Sequence, residues 1–355
     1  MTPAAAPAPA SVQATASPAP AVSAAAAAAV VPAATVANVL DRCLAVDRGE
    51  EVVLLTDAET DPAVVAALAA GIEERDAVCV IARVPRYQVP GSEPPSSVGA
   101  LLAEAAAAIE LTSTFVGSST ARQEASRAGT RYLAMPAVRA STFRAGGPLD
   151  VDFDELRRTV EVLAAAWAGA DTYRITSPAG TDLAGSVRGR GGRALHGIAR
   201  EPGAYMAPPD VEAGTAPVEG STDGVVVIDA DLLFMGVGPL PSPVALTFRA
   251  GELVDVAGEE AGRLTDMIDR VADPRMSNLA EVSVGLNPNG RVCGVAMETE
   301  STLGTAHIAL GNSIAYGGTV AAAAHLDCVL RAATLYLDGR PVLVEGVLAD
   351  DIAAG

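Results

Sequence analysis

Glu51-Val-Val-Leu-Leu-Thr56-Asp57 is an unbroken apolar run closed by a polar pair. A run of that length without alternation is a strand covered on both faces. Pro62 to Glu74 follows with a helical pattern opened by Asp61-Pro62, and Ala77-Val-Cys-Val-Ile-Ala82 is a second strand. The alternation continues downstream: a helix over Val98 to Ala107, a strand over Ile109 to Phe115, a short helix over Thr120 to Arg127, a strand over Arg131 to Met135, and a long amphipathic helix over Phe153 to Ala168. Strands alternating with helices give a parallel, doubly wound sheet. No glycine-rich fingerprint follows the first strand, so this is not a nucleotide-cofactor domain.

Outward from this block, residues 1–33 are almost entirely Ala, Pro, Ser and Thr and read as a disordered tail. They lack the positive charge of a secretory signal. The run Ala24 to Val31 stops at Pro32, too short to span a bilayer. Past Asp171 the texture changes. Thr172 to Val187 alternates as a hairpin around Pro178-Ala-Gly-Thr181, and short β-like runs follow at Gly224 to Asp229, Val244 to Phe248, Ala280 to Leu286, Thr305 to Leu310 and Ala333 to Leu337. One helix interrupts them, Glu259 to Ala272. The expectation is an α/β N-terminal domain with a parallel sheet (34–171), followed by a mostly β (α+β) metal-binding domain (172–355).

Composition narrows the chemistry. The formal net charge is −19 and no basic run appears, which excludes nucleic acid and anionic membrane surfaces as partners. The sequence contains no lysine, so Schiff-base catalysis, a lysine-linked pyridoxal cofactor and a P-loop lysine are all excluded. Four scattered cysteines, Cys43, Cys79, Cys293 and Cys328, form no CxxC pair, which fits a reducing cytoplasm better than a disulfide framework.

The chain has three histidines, and two of them, His307 and His325, lie in the C-terminal half. The second opens His325-Leu-Asp327. Residues two apart on a strand share a face, so His325 and Asp327 can reach one ion together. His307 sits in the apolar run Gly304-Thr-Ala-His-Ile-Ala-Leu-Gly311. A buried imidazole there needs a partner for each ring nitrogen, which either a metal or a backbone carbonyl provides. Glu281 opens Glu281-Val-Ser-Val-Gly285 as a half-buried strand start, and Glu212 lies in the polar stretch Pro209 to Pro217. Taken alone, each glutamate reads as a solvated charge. Glu298 and Glu300 crowd just before His307, as ligands, supporting partners or surface acid. Ser118-Ser-Thr120 reads as a helix cap, Cys328 as a buried structural thiol, and His196 as a loop residue within an arginine-rich stretch, Arg188 to Arg200. That stretch, with Arg193 in it, reads as a solvated loop, or as a grip for a substrate carboxylate or a partner subunit.

The order of these motifs resembles the aminopeptidase T family of metal-dependent aminopeptidases, the thermophilic-type leucyl aminopeptidases. Glu212 precedes Thr215-Ala-Pro-Val-Glu-Gly220, then come Glu281-Val282, Gly304 to Gly311 and His325-Leu-Asp327. The resemblance implies that Glu212, Glu281, His307, His325 and Asp327 hold two divalent ions, zinc, cobalt or manganese. It also implies a metal-activated water that hydrolyses a peptide or peptide-like small substrate, and a homodimer. Glu212 or Glu281 would be the general base, with Glu300 a further candidate. Ile314 stands where that family has a tyrosine, and Tyr316 lies two residues on. A more distant resemblance is to the dihydroxypyridine ring-cleaving dioxygenases, which keep the His-x-Asp pair but carry a histidine at the position of Glu281. That resemblance implies one Fe(II).

Overall fold

The computed structural model describes residues 30–235 and 238–354. The expected disordered tail therefore falls, for residues 1–29, outside the described residues. In chain order the strands are β1 (Glu51–Thr56), β2 (Val78–Arg83), β3 (Ala107–Glu110), β4 (Arg131–Ala134), β5 (Thr172–Thr176), β6 (Asp182–Ser186), β7 (Arg193–Leu195), β8 (Tyr205–Met206), β9 (Glu212–Thr215) and β10 (Asp223–Ile228). They continue as β11 (Asp231–Leu232), β12 (Val244–Arg249), β13 (Glu252–Ala257), β14 (Leu279–Gly285), β15 (Thr305–Gly311), β16 (His325–Arg331), β17 (Thr334–Leu337), β18 (Arg340–Val344) and β19 (Val347–Leu348).

β1 behaves as its sequence demands. Val52 and Leu54 enter one apolar core and Val53 and Leu55 the other, all fully buried. Each contributes roughly 1.5–3 kcal/mol by leaving water. The strands pair in parallel in the order β2-β1-β3-β4-β8. The fifth, β8, comes from beyond Asp171 and was not anticipated. Helix Pro62–Glu73 begins with the Asp61 carboxylate accepting from Ala63 N–H and proline in the first turn. Ser119 caps Thr120–Ala128 in the same way, as expected. Helix Phe153–Gly169 buries Phe153, Val160, Leu163, Ala164 and Trp167, a stripe at helical spacing, and packs on β7 and β9.

One expectation fails locally. The third strand ends at Glu110 instead of running to Phe115, because the chain folds back so that Val116 N–H and the Thr112 hydroxyl donate to the Glu110 carboxylate. A helical segment, Ala33–Cys43, opens the described fold ahead of β1.

The remaining strands form two antiparallel sheets. Eight run in the order β13-β12-β10-β6-β5-β17-β18-β19 and six in the order β11-β16-β15-β14-β9-β7. Within the six-stranded sheet the two-residue period separates two environments. Ala306, Ile308 and Leu310 of β15, and Leu326, Cys328 and Leu330 of β16, enter the main apolar core. Their neighbours His307, His325 and Asp327 therefore face the other way. Among the described residues no helix is long and apolar enough to cross a membrane.

Candidate metal centre

The side chains that alternate away from the apolar core meet on one face of the six-stranded sheet. β15 pairs with β16 in a register that sets Ala309 opposite Asp327 and Gly311 opposite His325, and β14 sets Ser283 opposite His307. A register shift between Leu279 and Glu281 marks a β-bulge, which re-aims the Glu281 side chain. β9 places Glu212 on the same face, since its neighbour Ala213 lies in the core. Gly214 is required there: a Cβ would stand 1.6 Å from Ser283 Oγ, and that hydroxyl donates to Glu281 Oε1.

Glu281 joins two imidazoles. Its Oε1 lies 3.0 Å from His307 Nε2 and its Oε2 2.9 Å from His325 Nε2. His307 Nε2 is also 3.0 Å from Glu212 Oε2, and His325 Nε2 is 3.2 Å from Asp327 Oδ1. His325 Nδ1 faces the Asn312 carbonyl at 2.7 Å. A carbonyl only accepts, so Nδ1 carries a proton, and Nε2 is the ring nitrogen turned toward the carboxylates. The Tyr316 hydroxyl donates to Glu212 Oε1 at 2.8 Å, and its ring stacks on His325 with centroids 5.5 Å apart. Tyr316 thus reaches the cluster although Ile314 holds the position expected for a tyrosine.

All seven residues singled out from the sequence converge here: Glu212, Glu281, Glu300, His307, Tyr316, His325 and Asp327. Two readings of the isolated motifs are corrected. Glu212 is 2% exposed and Glu281 fully buried, neither of them solvated, because both lie on interior strands of the sheet. Glu300 is also buried, on the short helix Ala296–Ser301, while Glu298 pairs with Arg144 and Arg291. His196 stays apart, its Nδ1 accepting from Ile198 N–H, and Cys328 is a buried thiol. Sequence inspection missed Asp210, which is buried with Oδ1 unpartnered. The spacing Asp210-Val-Glu212 is the same two-residue signal that found His325 and Asp327.

The electrostatics test whether a cation fits. Asp210, Glu212, Glu281, Glu300 and Asp327 crowd two imidazoles, and burial opposes ionisation of each enclosed acid. Burial and then neighbouring acids push Asp210, Glu212 and Glu300 above the usual carboxylate range. Burial also acts on Glu281, but hydrogen bonds from the two imidazoles outweigh it and hold it below that range. Burial would lower both histidines, yet Glu212 and Glu281 raise His307, and Asp327 and Glu281 raise His325, far above the ordinary value. The cluster thus keeps protons where a cation would otherwise sit. Glu212 Oε2 and His307 Nδ1 are buried without a hydrogen-bond partner. Three groups of donors lie within 4.8 Å of one another: Glu212–Glu281–His307, Glu281–His325–Asp327 and Glu300–His307–Asp327. Imidazole plus carboxylates suits a divalent first-row metal.

The family model described as NicX, 2,5-dihydroxypyridine 5,6-dioxygenase, matches residues 33–350. The chain belongs to the NicX family. A curated relative, 2,5-dihydroxypyridine 5,6-dioxygenase of Pseudomonas putida KT2440, is 26% identical over 196 residues, which cover 52% of this chain and 55% of that protein. The chain thus spans about half the length of the curated relative it matches. The solved structure of the 2,5-dihydroxypyridine dioxygenase from the same strain superposes with a TM-score of 0.75 at 20% identity, covering 90% of this chain and 96% of that one. Wild-type AmpT from Thermus thermophilus superposes with a TM-score of 0.65 at 18% identity, covering 89% and 98%. At these identities the two structures establish the fold, a parallel α/β region joined to antiparallel sheets. The match to the NicX family reverses the order expected from the motifs: the dioxygenase relationship comes first, and aminopeptidase T stands as a fold neighbour. A divalent metal cofactor fits both.

Proposed function

We propose that this NicX-family chain is a metal-dependent dioxygenase that opens a hydroxylated nitrogen-heteroaromatic ring, using the Glu281–His325–Asp327 group. The observation that carries the proposal is the exposure of two members of that group, His325 and Asp327. The His325 and Asp327 side chains are 21% and 13% exposed, whereas those of Glu212, Glu281 and His307 are 2% or less. A substrate therefore meets the cluster at His325 and Asp327. Bound there, Fe(II) would supply a centre at which a dihydroxylated ring and dioxygen exchange electrons.

The chain's own residues do the remainder. The Asn312 carbonyl fixes the His325 tautomer and ring plane. Tyr316 covers one face of His325 and offers a flat aromatic wall beside it. Glu300, whose carboxyl lies within 4.8 Å of the His307 and Asp327 donors and is held toward its protonated form, would exchange a proton with a substrate hydroxyl.

A specific observation favours a second reading. Glu281 reaches both imidazoles with one oxygen each, so it could serve as a ligand on the His307 side and on the His325 side, and the dioxygenase resemblance read from the sequence expects a histidine at its position. Two ions would make the chain a hydrolase of peptide-like amides. The homodimer and peptide substrate expected from the sequence go with this reading.

Metal analysis paired with two assays decides between them. The dioxygenase proposal expects one iron per chain and loss of 2,5-dihydroxypyridine absorbance only when oxygen is present. Two zinc, cobalt or manganese ions per chain, with chelator-sensitive release of N-terminal residues from aminoacyl anilides, would overturn it in favour of the hydrolase. Glu281→His sharpens the contrast. Iron binding and oxygen-dependent turnover survive it under the first reading, and peptide cleavage is lost under the second.

A further inference from the structure

Arg193 stands out within its own stretch of sequence. Arg188, Arg190 and Arg200 are paired with Asp171, Glu219 and Asp154. Arg193, on the edge strand β7, makes no such pair among the described residues. One Nη donates to the Ala315 carbonyl at 2.9 Å, and the guanidinium carbon lies 5.2 Å from the centroid of the Tyr316 ring. Its Nε is buried with no hydrogen-bond partner. A buried donor left unpaired in a folded protein calls for an acceptor.

A second guanidinium lies within electrostatic reach of Arg193. Arg122, in the first turn of helix Thr120–Ala128, lies 4.4 Å from the centroid of the Tyr205 ring on β8 and has no carboxylate partner among the described residues. Its Nε donates to the Gly117 carbonyl. Burial pushes its charge below the usual stability of a guanidinium, and Arg193 adds to that push. This region flanks the carboxyl ends of β3, β4 and β8, where open parallel sheets bind ligands. Arg122 and Arg193 lie within electrostatic reach of each other and of Tyr205, and neither has an ion-pair partner among the described residues, so together they can receive an anion. The planar fork of each guanidinium matches a carboxylate.

We infer that Arg193 and Arg122 form a carboxylate subsite beside the metal centre, so that the substrate is a hydroxylated heteroaromatic ring bearing a carboxylate; the ring part rests on the dioxygenase proposal. The Tyr316 ring lies against both the His325 imidazole and the Arg193 guanidinium. A substrate that reaches His325 along the edge of Tyr316 would bring its substituent toward Arg193.

Anaerobic calorimetric titration of the metal-loaded protein with 2,5-dihydroxypyridine and with its 3-carboxylate tests this. The carboxylate is expected to bind at least about 10-fold more tightly, the contribution of one charge-assisted pair. Arg193→Gln and Arg122→Gln should each remove the preference while leaving the parent ring's affinity within about twofold, a result that also shows the variants are folded. Arg193→Lys should restore part of it. Equal affinity of the two compounds for the unmodified protein overturns the subsite, as does a preference that survives both glutamine variants, which would place the carboxylate on the metal. Failure of either ring to bind overturns the subsite together with the dioxygenase proposal. Carboxylate-dependent binding without oxygen-dependent turnover upholds the subsite and removes only the ring-opening chemistry.

Discussion

Glu110 and Glu212 are both buried glutamates on interior strands, yet they sit in opposite surroundings. Glu110 closes β3 of the parallel sheet. Its Oε1 accepts from Val116 N–H at 2.7 Å and from the Thr112 hydroxyl at 3.1 Å, and its Oε2 accepts from the Tyr132 hydroxyl at 2.9 Å. Glu212 accepts from Tyr316 on Oε1, while its Oε2 lies 3.0 Å from His307 Nε2, an imidazole it shares with Glu281. The parallel sheet encloses a carboxylate and satisfies it from within the chain. The six-stranded sheet supplies three, Glu212, Glu281 and Asp327, joined by Asp210 and Glu300, and leaves them wanting a cation. Burial alone therefore does not distinguish a structural acid from a functional one; the unmet donors and acceptors do.

The largest effect that would break this contrast lies in the ligands. His325→Ala or Asp327→Ala should abolish stoichiometric metal and reduce turnover by on the order of 10³-fold or more, whereas Glu110→Gln should leave metal content unchanged. Elemental analysis of the purified variants checks it. Full metal occupancy in both ligand variants would remove the cluster from the chemistry.

Next in size is the metal's hold on the fold. A cation that replaces protons among the crowded carboxylates binds the folded chain and not the unfolded one. At a free concentration of 100 times its Kd it should add about 2.7 kcal/mol of stability, seen as a rise of several degrees in Tm over chelator-treated protein. Identical melting with and without metal would show that the acids tolerate one another unaided.

How much of this was legible before the fold was known follows from the same physics. The parallel sheet was readable because β1 is apolar at every interior position and its helices carry caps at Asp61 and Ser119. The His-x-Asp pair was readable because the strand period places both on one face. The ionisation and burial of Glu212 and Glu281 were not. Their local sequence is polar or half-apolar, and only pairing with β14 and β15 takes them out of water. β8 was illegible for a similar reason: two residues carry no periodicity, and Tyr205 and Met206 join the parallel sheet through β4 alone. Arg193 looked like its solvated neighbours, and nothing local announces that Tyr316, distant in sequence, lies beneath it.

The smallest predicted effect examines Glu110 itself. Burial raises its carboxyl, and the donors Val116, Tyr132 and Thr112 offset this only in part, leaving it at about 7 against an ordinary 4.5. The folded chain therefore keeps a proton that the unfolded chain releases. The associated stability is complete below pH 4.5, declines as pH rises, and is gone above about 7. Glu110→Gln cannot ionise and should lack this decline. Between pH 5.5 and 8 the unmodified protein should lose about 2 kcal/mol relative to the variant. Urea unfolding of the two proteins at both pH values measures the difference, and titration of the metal cluster cancels because they share it. Parallel pH profiles would mean that three neutral donors hold Glu110 ionised within the core. Hydrogen bonding from within the chain would then be enough to keep a buried carboxylate charged, and the case that the second cluster needs a cation would weaken accordingly.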